Sequence, residues 1–160
     1  MIETFDVQIR LATPADLPSL ASLLYNSFAE YKSFYTDEGF AATTPSSDQL
    51  LQRMNEGPLW VSTRDGAAIG TVSAVDRGDY LYIRGMAVLP EARAIGLGTL
   101  LLRTVEEFAV ARGHKRLTLS TTPFLDHAIR LYERAGFRRT VAGPHDLYGT
   151  RLFTMVKDLL

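Results

Sequence analysis

"VLPEARAIGLGTLLLRTVEEFA", residues 88–109, sets two closely spaced glycines at the head of an amphipathic helix. Leu97, Leu100, Leu101, Val105 and Phe108 recur at helical spacing, so one face of this segment is apolar. Gly96 and Gly98 stand in the first turn, where each glycine weakens a helix by roughly 1 kcal/mol relative to alanine. Something other than helix propensity put them there.

On the C-terminal side, Gly113 ends the helix, "RLTLST" (116–121) reads as a strand, and "FLDHAIRLYERA" (124–135) reads as a helix closed by Gly136. "FRRTVA" (137–142) and "RLFTMVKDL" (151–159) are two further strands. On the N-terminal side, "LWVSTR" (59–64), "AAIGTVSAV" (67–75) and "YLYIRGMAVL" (80–89), separated by turns at Asp65-Gly66 and "DRGD" (76–79), form an antiparallel meander. Before them come a strand "VQIRLA" (7–12) and a helix to about Ala29, with Thr13 as N-cap, Pro14 in the first turn and Asp16 at the positive end. "EYKSFYTDEGFAATT" (30–44) reads as irregular and aromatic-rich, and "SSDQLLQRMNEG" (46–57) as a second short helix. This order predicts a central sheet flanked by helices, with a helical crossover making at least one parallel pair.

Composition narrows the classes. A chain of 160 residues, 46% apolar and 22% charged, with neither internal repeat nor long polar linker, is expected to form a single domain spanning 1–160. Seventeen basic against eighteen acidic residues give a net charge of -1, which argues against a broad nucleic-acid-binding surface. The absence of cysteine removes disulfides, thiolate metal ligands and a cysteine nucleophile. "MIETFDVQIR" has acidic residues where a signal peptide needs a basic region, and no stretch reaches membrane-spanning length, so a cytoplasmic protein is expected. His114, His127 and His145 are dispersed, without metal-ligand spacing, and no metal is expected.

A strand running through a glycine-rich turn into a helix points unpaired N–H groups and the positive end of the helix dipole at one place. That place favours an anion, which Gly96 and Gly98 let approach closely while Arg93 adds a charged contact and Thr99 a hydroxyl. The Walker pattern is absent because no lysine follows either glycine, and the dinucleotide pattern fails because Leu101 stands in place of its third glycine. What remains is R-x-x-G-x-G, formed by Arg93, Gly96 and Gly98.

This motif resembles the coenzyme A pyrophosphate loop of the GNAT superfamily of N-acetyltransferases. Val88, Pro90 and Glu91 match the family's lead-in, and "AIRLYERAGF" (128–137) matches its second signature at the expected separation. The resemblance implies a mixed α/β fold: a mostly antiparallel twisted sheet of about seven strands with one parallel, splayed pair, flanked by about four helices. It implies acetyl-CoA as the donor cosubstrate, its pantetheine arm along the main chain of Met86, Ala87 and Val88. The pyrophosphate would lie on the amides of Arg93, Ala94, Ile95, Gly96, Leu97, Gly98 and Thr99. Tyr132 matches the tyrosine that protonates the departing coenzyme A thiolate, although it also completes an apolar stripe with Leu125, Ala128 and Ile129.

Two departures from the family pattern stand out. Many relatives carry a glutamate on the fourth strand, where this chain has Tyr82 and Arg84, so proton removal from the amine is expected to pass through water, with Glu30 and His145 as outlets. Leu125 replaces the asparagine that contacts the cofactor arm, leaving Ser120, Thr121 and Thr122 as hydroxyl alternatives. Arg130, Arg134, Arg138 and Arg139 form a basic cluster where the adenosine end would lie. Phe28, Tyr31, Phe34, Tyr35 and Phe40, with Asp37 and Glu38, fall where the family places its variable acceptor wall. The expected activity is acetyl transfer to a primary amine of a small molecule or peptide by direct attack in a ternary complex. The alternative is a non-catalytic acetyl-CoA sensor. A homodimer is compatible with the exposed sheet edges of such a fold.

Overall fold

A computed structural model of the chain describes residues 6–159. Strand β1 (Val7–Leu11) leads through a 3-10 turn (Pro14–Asp16) into helix α1 (Leu17–Phe28). The predicted start of this helix is thus a separate turn. The Asp16 carboxylate accepts from the Thr13 N–H at 2.7 Å and is gripped by Arg10 at 2.8 and 2.9 Å, which holds its pKa well below the usual carboxylate range.

A second 3-10 segment (Ala29–Phe34) is followed by α2 (Asp37–Thr43) and α3 (Ser47–Met54). Helix α2 falls in the stretch read as irregular. Its N-cap is Thr36, whose hydroxyl accepts from the Gly39 N–H at 3.0 Å, with Asp37 and Glu38 in the first turn. The meander follows as β2 (Leu59–Arg64), β3 (Ala67–Asp76) and β4 (Tyr80–Val88). A 3-10 turn (Pro90–Ile95) then enters α4 (Leu97–Ala111), after which come β5 (Arg116–Thr121), α5 (Asp126–Arg134), β6 (Arg138–Thr140), a small hairpin of β7 (Asp146–Leu147) and β8 (Thr150–Arg151), and β9 (Phe153–Asp158).

The seven-stranded sheet has the order β1-β2-β3-β4-β5-β9-β6, and every pairing is antiparallel except β4 with β5. The mixed sheet and its single parallel pair are as expected. The described residues contain five α-helices, α2 being the addition, and the β7–β8 hairpin stands outside the main sheet.

Alternate residues of β2 serve two apolar clusters: Trp60 packs with α4, whereas Leu59 and Val61 pack with α1 and Leu50 of α3. The clusters therefore lie on opposite faces of the sheet. Strand β3 is covered on both, being buried without a break from Ile69 to Val75. On α4, Leu97, Leu101 and Val105 are completely buried at i, i+4 and i+8. Each contributes about 1.5–3 kcal/mol of transfer free energy as an upper bound. No described helix is long and apolar enough to cross a membrane.

Candidate active site

The site begins with an irregularity in β4. Thr71 of β3 faces Ala87, but Ser73 faces Arg84, so Gly85 and Met86 together stand opposite Val72. This is a β-bulge, made possible by Gly85 at φ +68° and held by a 2.7 Å hydrogen bond from the Ser73 hydroxyl to the Arg84 carbonyl. Parallel pairing with β5 runs from Tyr80↔Arg116 to Ile83↔Leu119 and stops there. Although β4 continues to Val88 and β5 to Thr121, the two strands part from Arg84 onward. The predicted splay is therefore present, and a bulge placed at its root accounts for it, since a bulge bends its strand.

At the end of β4 the chain turns into α4. Gly96 is the N-cap, at φ +78°, and a β-carbon built there would meet nothing within 4 Å. The ground in front of the helix is open. The first α4 N–H to find a helical carbonyl is that of Leu100, 3.3 Å from the Gly96 oxygen, so those of Gly96, Leu97, Gly98 and Thr99 precede the hydrogen-bonded helix, and no side chain caps them. These donors, with the dipole of a 15-residue helix behind them, fit an anionic group such as pyrophosphate.

Gly98 has a different reason to be glycine. A β-carbon there would lie 2.6 Å from Leu131 Cδ2 and 3.4 Å from Met86 Cε. Gly98 lets α4 and α5 approach each other, which corrects the expectation that both glycines make room for phosphate.

Arg93 also lies elsewhere than expected. Its Nη1 donates to Glu30 at 2.8 Å, its Nη2 to the Ser27 carbonyl at 3.0 Å and its Nε to the Val88 carbonyl at 3.2 Å. The guanidinium thus ties the turn before α4 to the end of α1. Glu30, expected as a proton outlet, is its ion-pair partner, and His145 is exposed in the loop before β7. Ala94 is exposed beside Arg93, Ile95 packs partly against the core, and the Ala87 side chain is buried on the α1 side.

Tyr132 sits on α5 with 8% of its surface exposed and its ring edge-on to Phe137 at 5.9 Å. Burial, with the nearby phenol of Tyr35, pushes its pKa up to about 12. Tyr35 is also raised by burial, opposed by the neighbouring hydroxyls of Thr122 and Thr43. The Thr122 hydroxyl is buried without a well-formed hydrogen bond. Two neutral phenols and a threonine hydroxyl thus gather beyond the end of β5, where strand and helix sequence signals gave no reason to join Tyr35 to Tyr132.

The aromatic run is brought together around one residue of the β5–α5 connection. Phe124 stacks on Phe34 (5.4 Å, 28°), meets Tyr35 edge-on (4.9 Å, 88°) and approaches Tyr31 at 6.2 Å. A cavity of about 410 Å³ opens beside it, lined by Phe34, Thr36, Pro123, Phe124, Gly149, Thr150 and Arg151. Of the basic cluster, Arg138 pairs with Asp158 and Arg139 covers the Phe153 ring, while Arg130 and Arg134 are exposed. His114 is structural: its Nδ1 lies 3.3 Å from the Ala109 carbonyl and its Nε2 lies 3.1 Å from Asp76.

A sheet parted at a bulge, with an open helix N-terminus at its end and a buried tyrosine on the following helix, is the arrangement that the resemblance to N-acetyltransferases implies. The chain belongs to the acetyltransferase (GNAT) family, whose model matches residues 22–137. It is 32% identical over 135 residues to an uncharacterized N-acetyltransferase, YjgM, of Escherichia coli K12, covering 81% of this chain and 80% of the relative. It is 37% identical over 139 residues to the probable N-acetyltransferase camello of Xenopus tropicalis, covering 81% of this chain and 64% of that longer protein. Among solved structures, PaiA N-acetyltransferase of Thermoplasma acidophilum in complex with coenzyme A superposes with a TM-score of 0.83 at 18% identity, covering 96% of this chain and 99% of the other.

Proposed function

We propose that the described span works as one catalytic domain, which moves the acetyl group of acetyl-CoA to a primary amine of a small molecule or peptide by direct attack in a ternary complex. The observation that carries this reading is the unpartnered N-terminus of α4 at the end of a strand that parts from its neighbour and faces the Tyr132 helix. Acetyl-CoA supplies the activated acyl group. The N–H groups from Gly96 to Thr99 hold its pyrophosphate, and the main chain of Met86, Ala87 and Val88 aligns the pantetheine arm like an added strand. Arg93 acts here by fixing the loop, since its donors are taken up by Ser27, Val88 and Glu30.

In the reaction the amine nitrogen bonds to the acyl carbon and the carbon–sulfur bond breaks. Tyr132 gives its proton to the departing thiolate and recovers one from solvent. A phenol kept neutral to about pH 12 is a proton donor throughout the working range. The acceptor, an ammonium with an ordinary pKa near 10, loses one proton to water before attack and a second as the amide forms, because β4 presents Tyr82 and Arg84 rather than a carboxylate. Those two residues also motivate the second reading, a sensor that binds acetyl-CoA without turnover.

A screen of amines for coenzyme A release, run beside calorimetric titration with acetyl-CoA, separates the readings. Release with at least one amine is expected. Tight acetyl-CoA binding without release on any amine would leave the sensor, and no acetyl-CoA binding would overturn both.

A further inference from the structure

A second cavity, of about 260 Å³, lies on the other side of the β7–β8 turn, between α3 and the bulged part of β4. Arg53, Glu56, Arg84 and Tyr148 line it, with Gln49 and Gln52. Two guanidinium groups share this space with one carboxylate. Arg84 Nη2 donates to Glu56 at 3.2 Å, and Arg53 Nη2 donates to the Ala42 carbonyl at 3.1 Å.

Donors are left over. Arg84 Nε is buried and has no hydrogen-bond partner, and Arg53 Nη1 points at Gly85, 3.1 Å from where a β-carbon would stand. Burial and the charge of Arg84 bring the Arg53 pKa down to about 10, so the two guanidinium groups repel each other while Arg53 stays charged at neutral pH. Two guanidinium groups beside one carboxylate leave an excess positive charge in a partly buried space, and a bound anion offsets it. A planar carboxylate suits two converging guanidinium groups.

Position identifies which anion. Arg84 stands on β4 immediately before the bulge at Gly85 and Met86, next to the stretch proposed to hold the pantetheine arm. A carboxylate held by Arg84 would anchor a short acceptor on the same strand as the stretch proposed to align the thioester. We propose that Arg53 and Arg84 form the acceptor's carboxylate site, so that the acetylated amine belongs to a small molecule that also carries a carboxylate, such as an amino acid. This rests on the acetyltransferase reading above, with β4 as the donor strand.

The test is a panel of small amino acids, each paired with its carboxamide, read by coenzyme A release and by calorimetric titration into coenzyme A-loaded protein. The acids are expected to bind and react about 10- to 100-fold better than their amides, the range of a charge-assisted pair. Arg84→Gln and Arg53→Gln should abolish that preference by raising KM for the acids, with coenzyme A affinity unchanged. Glu56→Gln should strengthen carboxylate binding, because it removes the competing acceptor, and it guards against reading a folding defect as lost recognition. Equal handling of acids and amides, or no binding of either, would overturn the site. So would a preference that survives both arginine variants or moves with Arg151→Gln in the other cavity. Carboxylate-selective binding without acetyl transfer would sink the acetyltransferase reading and leave the site standing.

Discussion

Replacing Gly98 and Gly96 by alanine, one at a time, tests why the two glycines are there. At Gly98 the new β-carbon would sit 2.6 Å from Leu131 Cδ2, about 1 Å inside carbon–carbon contact, so the end of the Leu131 side chain must move. Overpacking of this kind costs about 1–3 kcal/mol, the lower half applying here because Leu131 is only partly buried. Relief of the glycine's helix penalty returns up to about 1 kcal/mol. A net loss of roughly 0–2 kcal/mol, centred near 1, is expected, a few degrees in Tm for a chain of this size. Leu131→Ala makes room, so the double variant should be more stable than the two single losses predict, by about 1 kcal/mol. At Gly96 the strain lies in the backbone, because φ is +78° and no neighbour stands near the new methyl. About 1–2 kcal/mol is expected, with no coupling to Leu131. Urea denaturation of the single and double variants, with a coenzyme A titration of each, decides the matter. If Gly98→Ala is as stable as wild type, additive with Leu131→Ala, and impaired only in coenzyme A affinity, the packing argument is refuted.

Tyr132→Phe keeps the ring against Phe137 and removes the proposed proton donor, so kcat should fall about ten- to a thousandfold with little change in Tm or coenzyme A affinity. Because the phenol is raised to about 12, it stays protonated as the acceptor amine deprotonates near pH 10, and wild-type turnover should rise through pH 8–10. The sign for stability follows from the same shift: the unfolded phenol ionises near 10 and the folded one near 12, so stabilisation is full below pH 10 and is lost as pH rises through 12. A loss of turnover near pH 10 that disappears in Tyr132→Phe would contradict this. Arg93→Ala should lower both thermal stability and coenzyme A affinity, since it frees the turn from Ser27 and Val88; a variant with lower affinity but unchanged Tm would return the guanidinium to the pyrophosphate.

Local pattern was enough for much of this fold. The strand runs and turns of β2 to β4, the stripe on α4 and the glycine stops at Gly113 and Gly136 are local properties of the chain, and β5 lies on the six residues read for it. The open N-terminus of α4 was legible too, because Gly96 and the strand before it announce it. Helix α2 was partly legible: Thr36, Asp37 and Glu38 are start signals. The rest of that segment is ordered by contacts with residues more than a hundred positions away, the Thr36 N–H on the Thr150 hydroxyl at 2.9 Å and the Thr36 hydroxyl on the Tyr148 carbonyl at 2.8 Å.

What the sequence determined by itself was the order of elements, the two motifs and the side chains available for chemistry, since periodicity, caps and turn residues act over a few positions. What those side chains face depends on contacts between elements far apart in the chain. Folding gave the Arg93 guanidinium to the end of α1, turned Gly98 into a helix-packing contact through Leu131, set Tyr35 beside Tyr132, and brought Arg53 of α3 against Arg84 of β4. Each of these pairs comes from elements on different parts of the sheet. These partners lie between about 30 and 100 residues apart in the chain, and no local spacing records which of them fold together.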